Sequence, residues 1–375
     1  MTTADYKLFS PLTLGKDFEL KNRVVLTPLT RGHADADHVP TELMEIYYEQ
    51  RAGAGLIITE ATAISEQGFG WYRAPALYTQ EHAAAWKKIV DRVHAKGGKI
   101  MMQLYHTGRQ SHSSYHEVKE IVAPSAVRLE HGTGRDVDAQ KVDFEVPRAL
   151  ETDEIAGIVE DFRRSAELAN QAGFDGVEIH SANGYLLDTF LHSTTNKRTD
   201  QYGGSFENRG RILIEVLDAV KTVWPSERIG VRLSPNGSFA GMGAEDNFEF
   251  FTYLMERLSP HNMSYLAVTD AVGVMGFHNK CRPVTYLDVK KAFKGTVIAN
   301  SDFQRDTAEG VLRSGAADLV AFGRLYISNP DLAERFANGW PLNDLPGYEA
   351  FYSHRIEGKD VGVGYIDFPA YQVAP

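Results

Sequence analysis

Residues 180 to 185 read His-Ser-Ala-Asn-Gly-Tyr. His180 and Asn183 can each present an N–H to one carbonyl oxygen, and Tyr185 can present a phenolic proton from the same loop. Two donors on a developing oxyanion with one acid beside them would activate an α,β-unsaturated carbonyl compound. Taken singly, a His that closes a strand is more often structural and a Tyr in GYLL is more often core. Their chemistry depends on the elements that carry them.

Eight short apolar, β-branched runs recur at 23–27, 55–59, 99–104, 176–179, 229–233, 265–269, 296–299 and 319–322. Amphipathic stretches lie between them, such as Trp86, Ile89, Val90 and Val93 before Gly97, and Ile155, Ile158, Val159, Phe162 and Ala166 before Gly173. Strands apolar on both faces that alternate with helices indicate parallel βα units. Eight of them predict an α/β fold, a closed (β/α)8 TIM barrel, with a doubly wound open sheet as the alternative. Residues 8–22 set a Gly-Lys-Asp turn between two alternating runs and predict an N-terminal β-hairpin cap. Residues 108–150 form a long polar insertion after strand three, on the face where loops carry function. The aromatic residues of 344–375 predict a tail packed on the body.

The 375 residues, 43% hydrophobic, are compatible with one barrel domain over 1–375 and exclude a disordered chain. With 39 Lys+Arg against 50 Asp+Glu the net charge is −11, and no basic stripe offsets it, so no nucleic-acid partner is expected. A single cysteine, Cys281, makes no internal disulfide and has no ligand-spaced neighbours for zinc, which fits a reducing compartment. The start lacks a signal peptide's pattern, and no apolar run reaches the roughly 18 residues of a membrane span. The expectation is a soluble cytoplasmic protein, monomer or homodimer, with no membrane partner.

In a barrel the C-terminal strand ends face the active site. They nominate Thr27-Pro28-Leu29-Thr30, Glu60-Ala61, Gln103 with Tyr105 and His106, His180, Arg232, Thr269-Asp270, Asn300-Ser301-Asp302 and Gly323-Arg324. No lysine stands among them, which disfavours a Schiff-base aldolase. The His and carboxylate residues are scattered singly, so no metal is expected, and a metal-dependent aldolase or isomerase is a poor second reading. Neutral donors and acceptors with two arginines suit a planar heteroaromatic ligand bearing a phosphate, as FMN does. Arg324 can hold the phosphate bidentately, and Arg232 can face the N1 and O2 atoms where a reduced flavin gathers negative charge.

The run HSANGYLLDTFLHSTTNKRTDQYGGSFENR resembles the signature of the Old Yellow Enzyme family, FMN-dependent barrel oxidoreductases that use NAD(P)H to reduce activated alkenes. The likeness spans nearly the whole chain, with NRVVLTPLTR at 22–31, YYEQRAGAGLIITEAT at 47–62, QLYHTGRQSH at 103–112, RIGVRLSP at 228–235, AFGRLYISNPDL at 321–332 and GYIDFP at 364–369. The resemblance implies bound FMN, NADPH or NADH as hydride donor, and small enone-type substrates. It puts the backbone around Pro28, Leu29 and Ala61 along the isoalloxazine ring and the Thr30 hydroxyl at O4. Gln103 falls at the pyrimidine portion, Arg232 at N1 and O2, and Ser301, Asp302, Gly323 and Arg324 around the phosphate. His180 and Asn183 become the paired donors to the substrate carbonyl, Tyr185 the proton donor, and Tyr352 an aromatic that closes the pocket. Three positions depart from many relatives: Asn300-Ser301-Asp302 brings a carboxylate to the phosphate site, Tyr105 replaces Trp, and Trp71 replaces Tyr. The Asp302 side chain is expected to turn away and leave its backbone N–H to the phosphate. A non-catalytic flavin sensor is disfavoured, because every donor and acid position holds a competent residue.

Overall fold

The computed structural model describes residues 5–130, 132–270, 276–353 and 362–372. All eight apolar runs form strands: Val24–Leu26, Leu56–Ile58, Ile100–Tyr105, Gly176–Ser181, Ile229–Leu233, Tyr265–Thr269, Val297–Asn300 and Leu319–Phe322, called strands one to eight below. They pair in parallel in sequence order, and strand eight returns to strand one with Phe322 opposite Leu26. The sheet is therefore a closed barrel and not an open doubly wound one.

Helices such as Gln80–Ala95, Glu154–Gln171 and Phe206–Lys221 cover the outside. The first shows how local sequence sets its ends. Thr79 accepts the His82 N–H at 3.2 Å, the stripe Trp86, Ile89, Val90 and Val93 is buried, and Gly97 leaves the helix at φ 70°. Each strand is buried on both faces because one packs under these helices and the other lines the barrel interior.

The expected hairpin pairs Leu12–Leu14 with Phe18–Leu20. Its Leu14, Phe18 and Leu20 pack into the barrel interior with Val25, Leu56, Ile58 and Met101, which closes the N-terminal end. The 108–150 insertion is built from two-residue ladders, including Gly134–Arg135 against Lys141–Val142. Arg109 ties it to the loop after strand five by donating to Val127 O at 2.9 Å and Ala240 O at 2.7 Å.

The tail is bound by Arg31, whose guanidinium donates to the carbonyls of Ala350, Phe351 and Gly364 at 2.7–2.8 Å. Tyr365, fully buried, stacks between His33 and Tyr47. The tail expectation for 354–361 and 373–375 lies outside the described residues. Among the described residues no helix is long and apolar enough to cross a membrane.

Candidate active site

A cavity of about 820 Å³ opens at the C-terminal ends of the strands. Its lining includes Pro28, Leu29, Thr30, Ala61, Trp71, Gln103, His180, Asn183, Tyr185, Arg232, Ser301, Asp302, Gly323, Arg324 and Tyr352. Strand ends that lie up to about 300 residues apart in sequence thus converge on one space. Tyr105, expected as a pocket wall, is fully buried behind that wall instead. Its ring sits edge-on to Tyr185 at 5.2 Å and tilted to His180 at 6.4 Å, so it backs the two site residues and does not face the cavity.

The His180–Tyr185 loop is held from several sides. Asn183 takes the left-handed conformation at φ 59°, which Asn tolerates, with its N–H on Ser234 Oγ at 2.8 Å and its carbonyl on Gln110 Nε2 at 2.7 Å. Both backbone groups are engaged, and the residue lines the cavity. Gly184, at φ 74°, passes so close to Ala240 that a Cβ would lie 2.5 Å from the Ala240 Cβ. Its N–H donates to Asp188 at 2.8 Å, and Asp188 faces His192 at 3.2 Å, both wholly buried. Gly243 donates to His192 Nδ1, so the proton sits on Nε2 and points to Asp188. The sequence reading missed this pair; two ionisable residues four apart in the apolar run LLDTFLH were its only signal.

Burial, reinforced by the charge of Arg232, holds the His180 pKa well below its ordinary value. The imidazole is neutral at physiological pH, and its buried Nδ1 has no partner. Burial raises the Tyr185 phenol, Tyr352 adds to this, and a hydrogen bond with Trp71 pulls weakly the other way. The phenol therefore stays protonated. The rings of His180 and Tyr185 lie 5.2 Å apart. Trp71 and Tyr352 stack at 5.7 Å over the same space, and Arg31 holds the residues on either side of this part of the tail.

At the floor, Arg232 donates to Thr27 Oγ1 at 3.0 Å and to Asn300 Oδ1 at 2.5 Å. Asn300 in turn donates to Ala321 O, which fixes its amide and leaves the guanidinium with further N–H groups. Gln103 donates to Glu178 at 2.7 Å. At the far end Arg324 donates to Asp302 Oδ1 at 2.7 Å. Contrary to the expectation that the Asp302 side chain turns away, its carboxylate accepts from Arg324, the arginine expected at the phosphate.

The set fits a flavin mononucleotide in chemistry. It offers a cation and an amide for a pyrimidine edge, a second cation at the opposite end, and an unpartnered buried imidazole nitrogen between neutral donors.

Comparison with known proteins agrees. Residues 7–343 match the NADH:flavin oxidoreductase / NADH oxidase family. The chain belongs to this family of flavoprotein oxidoreductases, the Old Yellow Enzyme family of the sequence resemblance. It is 40% identical to 12-oxophytodienoate reductase 1 of Oryza sativa subsp. japonica over 367 residues, covering 96% of this chain and 92% of that one. It is 38% identical to 12-oxophytodienoate reductase 2 of Arabidopsis thaliana over 374 residues, covering 97% and 96%. Among solved structures it superposes on morphinone reductase in complex with tetrahydroNAD at a TM-score of 0.88, with 42% identity and 97% and 98% coverage. The old yellow enzyme homologue from Zymomonas mobilis gives 0.90, with 41% identity and 97% and 99% coverage.

Proposed function

We propose that the chain is an FMN-dependent ene-reductase that uses NAD(P)H to reduce the C=C bond of α,β-unsaturated carbonyl compounds. The observation that carries this reading is the pairing of a neutral, buried His180 with a protonated Tyr185 5.2 Å away on the cavity that Asn183 also lines. The relatives named as 12-oxophytodienoate reductases and morphinone reductase support it.

Pro28, Leu29, Thr30 and Ala61 flank the flavin ring, Gln103 and Arg232 meet its pyrimidine edge, and Ser301, Asp302, Gly323 and Arg324 surround its phosphate. Bound FMN supplies the hydride. His180 and Asn183 donate to the substrate carbonyl oxygen, which makes the β-carbon electrophilic. Tyr185 protonates the α-carbon, and Trp71 and Tyr352 wall the substrate from water. Arg135 and Lys141 face each other across a ladder, where like charges are unfavourable, and both line the cavity. A phosphate of a nicotinamide dinucleotide between them relieves that repulsion, and this supports NAD(P)H as reductant.

The test begins with colour. Purified protein shows an oxidised-flavin absorption band that NADPH bleaches without oxygen; colourless protein that also fails to take up added FMN overturns the reading. In stopped-flow, Tyr185→Phe leaves flavin reduction near the unsubstituted rate and slows enone-driven reoxidation by roughly 10²- to 10⁴-fold. Equal slowing of both half-reactions removes Tyr185 as the proton donor.

A further inference from the structure

Strand four carries a carboxyl group, Glu178, between the buried apolar Val177 and Ile179 and with no exposure to solvent. It points into the barrel two residues below His180. Its neighbours form one row across the strands, because Gln103 pairs with Glu178, Glu178 with Gly230, and Gly230 with Tyr265. The glycine is required there: a Cβ at Gly230 would lie 2.3 Å from the Tyr265 ring. Its absence lets that ring lie across strand five towards the carboxyl group.

As packing alone, this carboxyl is expensive. Oε1 accepts from Gln103 at 2.7 Å, while Oε2 and the Tyr265 phenol face each other without a well-aligned hydrogen bond. A buried carboxyl so sparsely supported is unfavourable relative to an apolar residue of similar volume. What it touches gives it another role. A carboxylate only accepts, so it forces the Gln103 amide nitrogen towards itself and turns Oε1 the other way. It is also the carboxyl group whose field acts most on Arg232, whose own hydrogen bonds run to the neutral Thr27 and Asn300.

We propose that Glu178 is a positioning residue that fixes the Gln103 amide and offsets the Arg232 charge, and so sets how tightly reduced flavin is held relative to oxidised flavin. The inference rests on the flavin reading of the cavity. Reduced flavin carries negative charge around N1 and O2, the edge assigned to Arg232. A carboxylate beneath that arginine weakens its pull on the reduced form. Burial raises the Glu178 pKa above its ordinary value against the opposing pull of Arg232, Gln103 and Tyr265. Beside Arg232 the group is taken as the carboxylate.

The test compares the unsubstituted protein with Glu178→Gln and Glu178→Asp. Two quantities are read: FMN affinity of the apoprotein by fluorescence titration, and the two-electron midpoint potential of the loaded protein. Glu178→Gln removes the charge at constant size and raises the potential by about 30 mV, the equivalent of a tenfold tighter relative hold on reduced flavin. Glu178→Asp keeps the charge but loses the reach to Gln103, so its potential stays close to the unsubstituted value while oxidised FMN binds several-fold more weakly. A Glu178→Gln potential that is unchanged or lower overturns the proposal. So does loss of the folded state in both variants, which makes the residue purely structural. If the unsubstituted apoprotein takes up no FMN, the flavin reading itself fails, and this inference with it.

Discussion

Arg324 donates to Asp302 Oδ1 at 2.7 Å, and the pair spans the loops after strands seven and eight. The arginine proposed above to meet the FMN phosphate is thus already engaged by a carboxylate of its own chain. The pair is partly exposed, and such pairs contribute little to stability. A phosphate can therefore displace the carboxylate, but it then meets that carboxylate as a like charge. Asp302→Asn is expected to tighten FMN binding by roughly three- to tenfold, as removing one nearby like charge should. Riboflavin, which lacks the phosphate, serves as control and binds both proteins equally. Fluorescence titration of the apoproteins measures both; unchanged FMN affinity would show that the pair does not compete.

The donor pair makes a second prediction. A phenol bound as its phenolate presents an oxygen anion like that of an activated enone, and hydrogen bonds to charged groups are the stronger ones. His180→Ala and Asn183→Ala should each weaken binding of a simple phenol by roughly 10- to 100-fold. Titration of the flavin absorption band with phenol reads this. Affinity retained in both variants would remove them as the oxyanion donors.

Gly184 sets the geometry of the loop between those donors and the acid. Gly184→Ala combines a left-handed backbone with a 2.5 Å approach to Ala240 and is expected to destabilise by about 1–3 kcal/mol. The strain falls on Asn183 and Tyr185, so enone reduction should slow more than flavin reduction. Gly204→Ala, at φ 80° with nothing within 4 Å of its Cβ, isolates the backbone contribution. Equal effects in the two variants would leave Ala240 without a role.

Glu60 makes stability depend on pH. Fully buried, it accepts the Arg31 N–H at 3.1 Å and the Gly32 N–H at 3.2 Å, and desolvation outweighs these contacts to raise its pKa from the ordinary 4.5 to about 7. Below 4.5 the folded and unfolded chains are both protonated. Between 4.5 and 7 only the unfolded chain loses its proton, so stability falls as pH rises, by about 3 kcal/mol from this group. Glu60→Gln removes that slope. Urea midpoints of both proteins from pH 4.5 to 8 test it, and parallel curves would refute the assignment.

The strands were legible in the sequence because each is buried on both faces and β-branched, a pattern that survives without knowledge of its neighbours. The strand ends followed from the barrel rule, which is why Gln103, His180, Arg232 and Arg324 could be named before any coordinates. Glu178 was not, although a carboxylate inside GVEI was visible: its meaning depends on which residues stand beside it on strands three and six. Arg31 was hidden for a similar reason, since its partners are carbonyls some 320 residues away. Tyr105 shows the opposite failure. The strand-end rule placed it correctly along the axis but could not tell a facing ring from a backing one.

The hairpin that fills the barrel's N-terminal end with Leu14, Phe18 and Leu20 has a kinetic consequence. With that end closed, the reductant and the oxidant reach the site through one mouth. In the proposed reaction both substrates share that mouth, so the first product is expected to depart before the second substrate binds. Double-reciprocal plots at several fixed NADPH concentrations should then be parallel. Each substrate at high concentration should inhibit competitively against the other, an enzyme of ping-pong type enforced by a plug on the opposite side of the molecule from the chemistry.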